Sequence, residues 1–140
     1  MFPKVGYFYI KSQKTGFVIS TNDEDEAGTK LVIKSKNSGT DYELWSFESG
    51  YLVNKMNLFV MDIQGGDIRS GQNVLQYERK KTMAHNQRWG LRDGFIYVVA
   101  DPRIVLESTE EEESYLFVNA RKLEDNDFQQ WYIEPYTEEY

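Results

Sequence analysis

"HNQRW" at residues 85–89, "DYELW" at 41–45 and "DFQQW" at 127–131 hold all three tryptophans of a 140-residue chain. Trp45, Trp89 and Trp131 stand 89 − 45 = 44 and 131 − 89 = 42 residues apart. Near-equal spacing of a scarce, bulky side chain is the mark of an internal repeat, so the flanking residues should recur as well. They do. Gly6-Tyr7, Gly50-Tyr51 and Gly94-Phe95 follow one another at 50 − 6 = 44 and 94 − 50 = 44, and each opens an alternating apolar run, "YFYIK", "YLVNK" or "FIYVV". Next come "GFVIS" (16–20), "LFVMD" (58–62) and "RIVLE" (103–107). After a polar or glycine-rich turn stand "KLVIK" (30–34), "NVLQY" (73–77) and "YLFVN" (115–119), and the Trp segment closes each copy.

Each copy is therefore four short β-type runs, rich in Val, Ile, Phe and Tyr and separated by Gly, Asn, Asp and Ser. No 3.6-residue periodicity extends beyond a turn or two, so helix should be scarce. A propeller has blades of similar length, but it generally needs four or more of them, and the Gly-His and Trp-Asp marks of that family are missing. Three units of four strands fit an all-β chain folded as a β-trefoil, a six-stranded barrel capped by three hairpins. Closure of the barrel removes most exposed sheet edges. The length suits one domain over residues 1–140, with repeats at about 6–49, 50–93 and 94–133 and a short C-terminal tail, 134–140. The tryptophans, near the end of each repeat's last strand, should meet in the core.

Composition excludes several functions. Without cysteine there is no disulfide, thiolate metal site or cysteine nucleophile. The opening "MFPKVGYFYIK" lacks a basic start before a long apolar run, and no run approaches the roughly 18 apolar residues of a membrane span. A cytoplasmic location is the expectation, with no membrane insertion. A net charge of −7 and a pI near 4.8 argue against nucleic acid as a partner. The charge is uneven: "NDEDE" (22–26) and "ESTEEEE" (107–113) are acidic, while "ERKK" (78–81) with Arg69, Arg88 and Arg92 is basic. "DEDEAG" lacks the third ligand, the glycine placement and the closing Glu of a calcium loop. His85, the single histidine, has no Ser or Cys partner in any catalytic pattern, and neither a phosphate loop nor metal-ligand spacing is present. A binding module without catalytic residues, metal or other cofactor is expected.

The Gln-x-Trp pattern, "QRW" at 87–89 and "QQW" at 129–131 with "ELW" at 43–45 as a degenerate copy, resembles the ricin-B-type lectin domain over residues 6–133. The resemblance implies a sugar site made of an Asp ending the second strand, an aromatic ending the third, and an Asn or Gln before the Gln-x-Trp. Such a pocket needs acceptors for vicinal hydroxyls and an aromatic face for the C–H side of the ring. The second repeat supplies Asp62, Tyr77, Asn86 and Gln87. Asp62 would accept from two hydroxyls, Tyr77 would stack under the ring, Asn86 would bond a hydroxyl, and Gln87 would hold Asp62. The resemblance places a further Gln two before the aromatic, where this chain has Leu75, with Gln76 one place off.

The other copies depart from the pattern. The first has Ser20, Lys34 and Tyr42-Glu43 at these positions; the third has Glu107, Asn119 and Phe128-Gln129. One galactose-type site, on a glycan or glycoconjugate, is the expectation. Structural roles stay open for each residue: Asp62 as a cap of the "GGD" turn (65–67), Tyr77 as a half-exposed strand aromatic, and Asn86 with Gln87 as loop fixers. So does a second function, an intracellular protein binder of the protease-inhibitor or cytoskeletal kind, acting through acidic loops such as 22–26 and 109–113. Oligomeric state is not legible.

Overall fold

The computed structural model describes residues 1–137. Twelve strands appear in the expected three sets of four. The first set is β1 (Phe8–Ser12), β2 (Val18–Ser20), β3 (Val32–Lys34) and β4 (Trp45–Glu48). The second is β5 (Tyr51–Asn54), β6 (Val60–Ile63), β7 (Val74–Tyr77) and β8 (Trp89–Arg92). The third is β9 (Phe95–Val98), β10 (Asp101–Glu107), β11 (Phe117–Ala120) and β12 (Trp131–Pro135). Among the described residues the only helical pieces are short 3-10 turns, three of which (Asp41–Glu43, His85–Gln87 and Asp127–Gln129) end two residues before a Trp. None is long and apolar enough to cross a membrane.

The barrel closes through β1, which pairs with both β12 and β4, and through the β4–β5 and β8–β9 hairpins. Trp89 N donates to Gly50 O and Trp131 N to Gly94 O, closing the second and third repeats each on itself at matching points. The hairpins β2–β3, β6–β7 and β10–β11 form the cap. Three backbone bonds close that cap in a ring: Leu31 N to Val74 O (2.9 Å), Val74 N to Leu116 O (3.0 Å) and Leu116 N to Leu31 O (2.9 Å). Such a ring leaves no hairpin with a free inner edge, which is why the fold needs three copies. This is a β-trefoil.

The core is built from triplets at matching positions: Phe8, Leu52 and Ile96; Ile19, Met61 and Leu106; Leu31, Val74 and Leu116; and the three tryptophans. Each indole is buried, and each donates its one N–H to a backbone carbonyl: Trp45 to Ile19 (3.1 Å), Trp89 to Met61 (3.1 Å) and Trp131 to Leu106 (3.2 Å). A buried indole N–H without a partner would be costly, so this bond fixes ring orientation as well as burial. The tryptophans open the last strand of each repeat rather than lying near its end. The 3-10 turn absorbs the residues before them, and the strand begins only where pairing with the next hairpin starts. Residues 134–136 do not form a tail either. Glu134 and Pro135 pair with Tyr9 and Phe8, and Tyr136 packs edge-on against Tyr9, because β12 must extend to seal the barrel against β1. The rest of the expected tail, residues 138–140, lies outside the described residues.

Candidate functional site

Strand register places the site. Asp62 on β6 lies opposite Leu75 on β7, so the two-residue alternation puts Asp62, Leu75 and Tyr77 on one face and Gln76 on the other. With Gly65, Gly66, Lys80 and Asn86 these residues line a shallow cavity of about 290 Å³. Asp62 is only 4% exposed at its floor, whereas Tyr77 is 42% exposed. The glycines form the turn after β6 with φ of 78° and 72°, a conformation that favours residues without a Cβ. His85 Nε2 lies 2.9 Å from Gly66 O, so the histidine pins this turn from outside the cavity.

The carboxylate is held from two sides. Asn86 Nδ2 donates to Asp62 Oδ1 (3.1 Å) and also to Ile63 O (3.1 Å). Gln87 Nε2 donates to Asp62 Oδ2 (2.8 Å) and to Glu78 O (2.9 Å), while its Oε1 accepts from Lys80 N (2.9 Å). Gln87 is fully buried and every polar group it has is engaged, so its place is behind Asp62. Asn86 is more constrained than expected. Both amide hydrogens are committed to Asp62 and Ile63, and only Oδ1 is left, buried and without a partner. Each oxygen of Asp62 accepts one of these bonds and keeps a lone pair for an incoming hydroxyl. Burial raises the Asp62 pKa from its ordinary value, opposed by the Gln87 bond, the Lys80 charge and the Asn86 bond. Asp62 therefore serves as a side-chain acceptor, not as the cap of the following turn.

Gln76 is buried on the opposite face. It donates to Glu24 O and Glu26 O (both 2.9 Å) and accepts from Asn57 Nδ2, which anchors the acidic loop 22–26 to the second repeat. It does not reach the cavity, whose wall at that level is the apolar Leu75. Lys80 and the glycine pair are cavity residues that the sequence reading did not assign. Lys80 had a signal: the residue seven before the glutamine of Gln-x-Trp gives its backbone N–H to that side chain in the third repeat also, where Lys122 N donates to Gln129 Oε1 (2.9 Å).

The other repeats keep the frame and change its contents. In the third, Gln129 Nε2 donates to Glu107 Oε1 (2.8 Å) and Ala120 O (2.9 Å). The same Glu107 oxygen lies 3.4 Å from Asn119 Nδ2 and 3.9 Å from Lys122 Nζ, so it is occupied from within, and Asn119 stands at the position that Tyr77 has in the second repeat. In the first, Asn37 N donates to Glu43 Oε1 (2.7 Å), the place of Gln87. A carboxylate there could not donate to an Asp in front of it, and the facing residue is Ser20, whose Oγ accepts from Asn22 N (3.0 Å).

Solved structures share this architecture across nearly the whole chain. The mdaA-1 domain superposes with a TM-score of 0.83 at 24% identity, over 96% of this chain and 94% of that one. The Macrolepiota procera ricin B-like lectin, solved with lactose, gives 0.79 at 16% identity, over 96% and 99%. The chain shares the β-trefoil fold of these structures. Tectonin-2 of Physarum polycephalum is 32% identical to this trefoil over 98 residues, 68% of this chain and 28% of Tectonin-2. The trefoil thus matches under a third of that relative's length. No protein-family model matches the chain.

Proposed function

We propose that this trefoil is a carbohydrate-binding module rather than an enzyme, with one galactose-type site in its second repeat formed by Asp62, Tyr77 and Asn86 and braced by Gln87. One observation carries this reading. A buried carboxylate, gripped by two amides yet keeping one lone pair on each oxygen, faces an open cavity under an exposed aromatic. In this reading Asp62 accepts from two vicinal hydroxyls, the ring's C–H face lies on Tyr77, and Asn86 Oδ1 takes a third hydroxyl hydrogen. The lactose bound by the Macrolepiota procera lectin supports a galactose-containing ligand. A single shallow site of this kind corresponds to about 4–6 kcal/mol, a dissociation constant in the high-micromolar to millimolar range.

Calorimetry with lactose tests the assignment. The expected stoichiometry is one per chain, unchanged by Ser20→Ala or Glu107→Ala and abolished by Asp62→Ala. Two or three sugars per chain would remove the distinction drawn between the repeats. A glycan array without a hit, together with a protein recovered through the exposed loops 22–26 and 109–113, would favour a protein-binding trefoil instead.

A further inference from the structure

The residue two past Lys34, Tyr77 and Asn119, which occupy matching positions, is basic in all three repeats, as Lys36, Arg79 and Arg121, and each lies over an aromatic ring. Lys36 Nζ is 4.5 Å from the Tyr9 centroid, and the guanidinium carbons of Arg79 and Arg121 are 4.6 Å and 4.4 Å from those of Tyr51 and Phe95. The residue three past each Trp completes the device. Glu134 pairs with Lys36 and Glu48 with Arg79. At the third such position stands Arg92. Among the described residues neither Arg92 nor Arg121 has a carboxylate within ion-pair distance; nearby Arg103 is already held by Asp101 through two bonds.

The packing differs at the same place. In the second repeat Ala84 fills the cluster of Tyr51, Val53 and Val60. Its counterpart Asn126, half-buried, turns its amide to Lys122 O (3.2 Å), and the third repeat keeps a cavity of about 160 Å³ lined by Arg92, Phe95, Tyr97, Pro102, Val105 and Arg121. Among the described residues no carboxylate lines it. Arg92 lies opposite Phe95 in the β8–β9 register, and Tyr97 lies across Gly90, where a Cβ would stand 2.3 Å from the Tyr97 ring. The aromatic wall is therefore held in place from behind. Two guanidiniums bordering one small cavity repel each other unless an anion lies between them, and their planar forks match carboxylate and phosphate oxygens.

We propose that this cavity is a second binding site, for a small organic oxyanion whose carboxylate, sulfate or phosphate head lies between Arg92 and Arg121 and whose carbon body lies against Phe95 and Tyr97. It shares no residue with the Asp62 cavity and does not depend on the sugar reading.

The test is a titration of the full chain with benzoate, phenyl phosphate and inorganic phosphate at constant ionic strength, followed by amide and side-chain NMR shifts. Arg92→Glu rebuilds the Arg–Glu pair that the second repeat already has, so this variant should fold with an undiminished melting temperature. Arg121→Gln is the second variant. Saturable binding of benzoate or phenyl phosphate is expected, with shifts at Phe95 and Tyr97. Each variant should weaken it by on the order of tenfold or more, the loss of one charge-assisted contact. Absence of saturable binding, or binding unchanged by Arg92→Glu, would overturn the site. Inorganic phosphate binding as tightly as phenyl phosphate would overturn the role of the aromatic wall.

Discussion

Asp62→Asn, nearly isosteric, separates the bracing of the site from its charge. Both carboxylate oxygens accept from amide nitrogens, Oδ1 from Asn86 and Oδ2 from Gln87. Whichever way the new amide turns, its NH₂ meets one of these donors. Gln87 cannot reverse, because Lys80 N and Glu78 O fix its orientation. Asn86 can reverse only by losing its bond to Ile63 O. One buried donor or acceptor is left unsatisfied in each arrangement, at about 1–3 kcal/mol, partly offset by relief of the buried charge. For a domain of this size that lowers the melting temperature by several degrees. Binding suffers more. Two hydroxyl bonds to a charged acceptor, at about 1.5–3 kcal/mol each, approach the whole of the affinity expected for one shallow site. Differential scanning calorimetry should therefore show a modest loss of stability, and lactose titration should show no measurable heat. A variant that binds lactose within a few-fold of wild type would refute the reasoning, since neither the charge nor the double acceptance would then matter.

Tyr77→Ala should abolish lactose binding while leaving the melting temperature almost unchanged, because the ring is exposed at the end of β7; a loss of fold by circular dichroism would mark it as structural instead. Trp89→Ala should cost roughly 3–5 kcal/mol in chemical denaturation, since it empties a buried site and strips Met61 O of its donor; a loss below about 1 kcal/mol would contradict the core described. The pH dependence has two opposite signs. With its folded pKa raised above the ordinary 3.8, Asp62 holds its proton more tightly in the folded chain, so its contribution to stability falls as pH rises from 3.8 through the raised value. Sugar binding needs the carboxylate and should instead be lost as pH falls through that raised value. Lactose affinity that stays constant down to pH 3.8 would count against Asp62 as the acceptor.

The fold was legible in the spacing of Trp45, Trp89 and Trp131 and in the four apolar runs between them. Threefold repetition leaves few ways to bury so many short strands, and the side-chain period of two is written directly into the residues. The residues of the proposed sugar site could be named as candidates from the sequence, since Asp62, Tyr77 and Asn86-Gln87 stand at matching offsets that the first and third repeats fill differently. The division of labour among them was decided by tertiary structure. That both hydrogens of the Asn86 amide are committed, that Gln76 turns away to the loop 22–26, and that Lys80 enters through its backbone all follow from which atoms packing brings within hydrogen-bond distance. The juxtaposition of Arg92 and Arg121 is likewise invisible in sequence, for they lie 29 residues apart and only the cap hairpin sets them beside one cavity. Periodicity is local and survives in one dimension, whereas hydrogen-bond assignment and charge pairing depend on distances that exist only after the chain has closed.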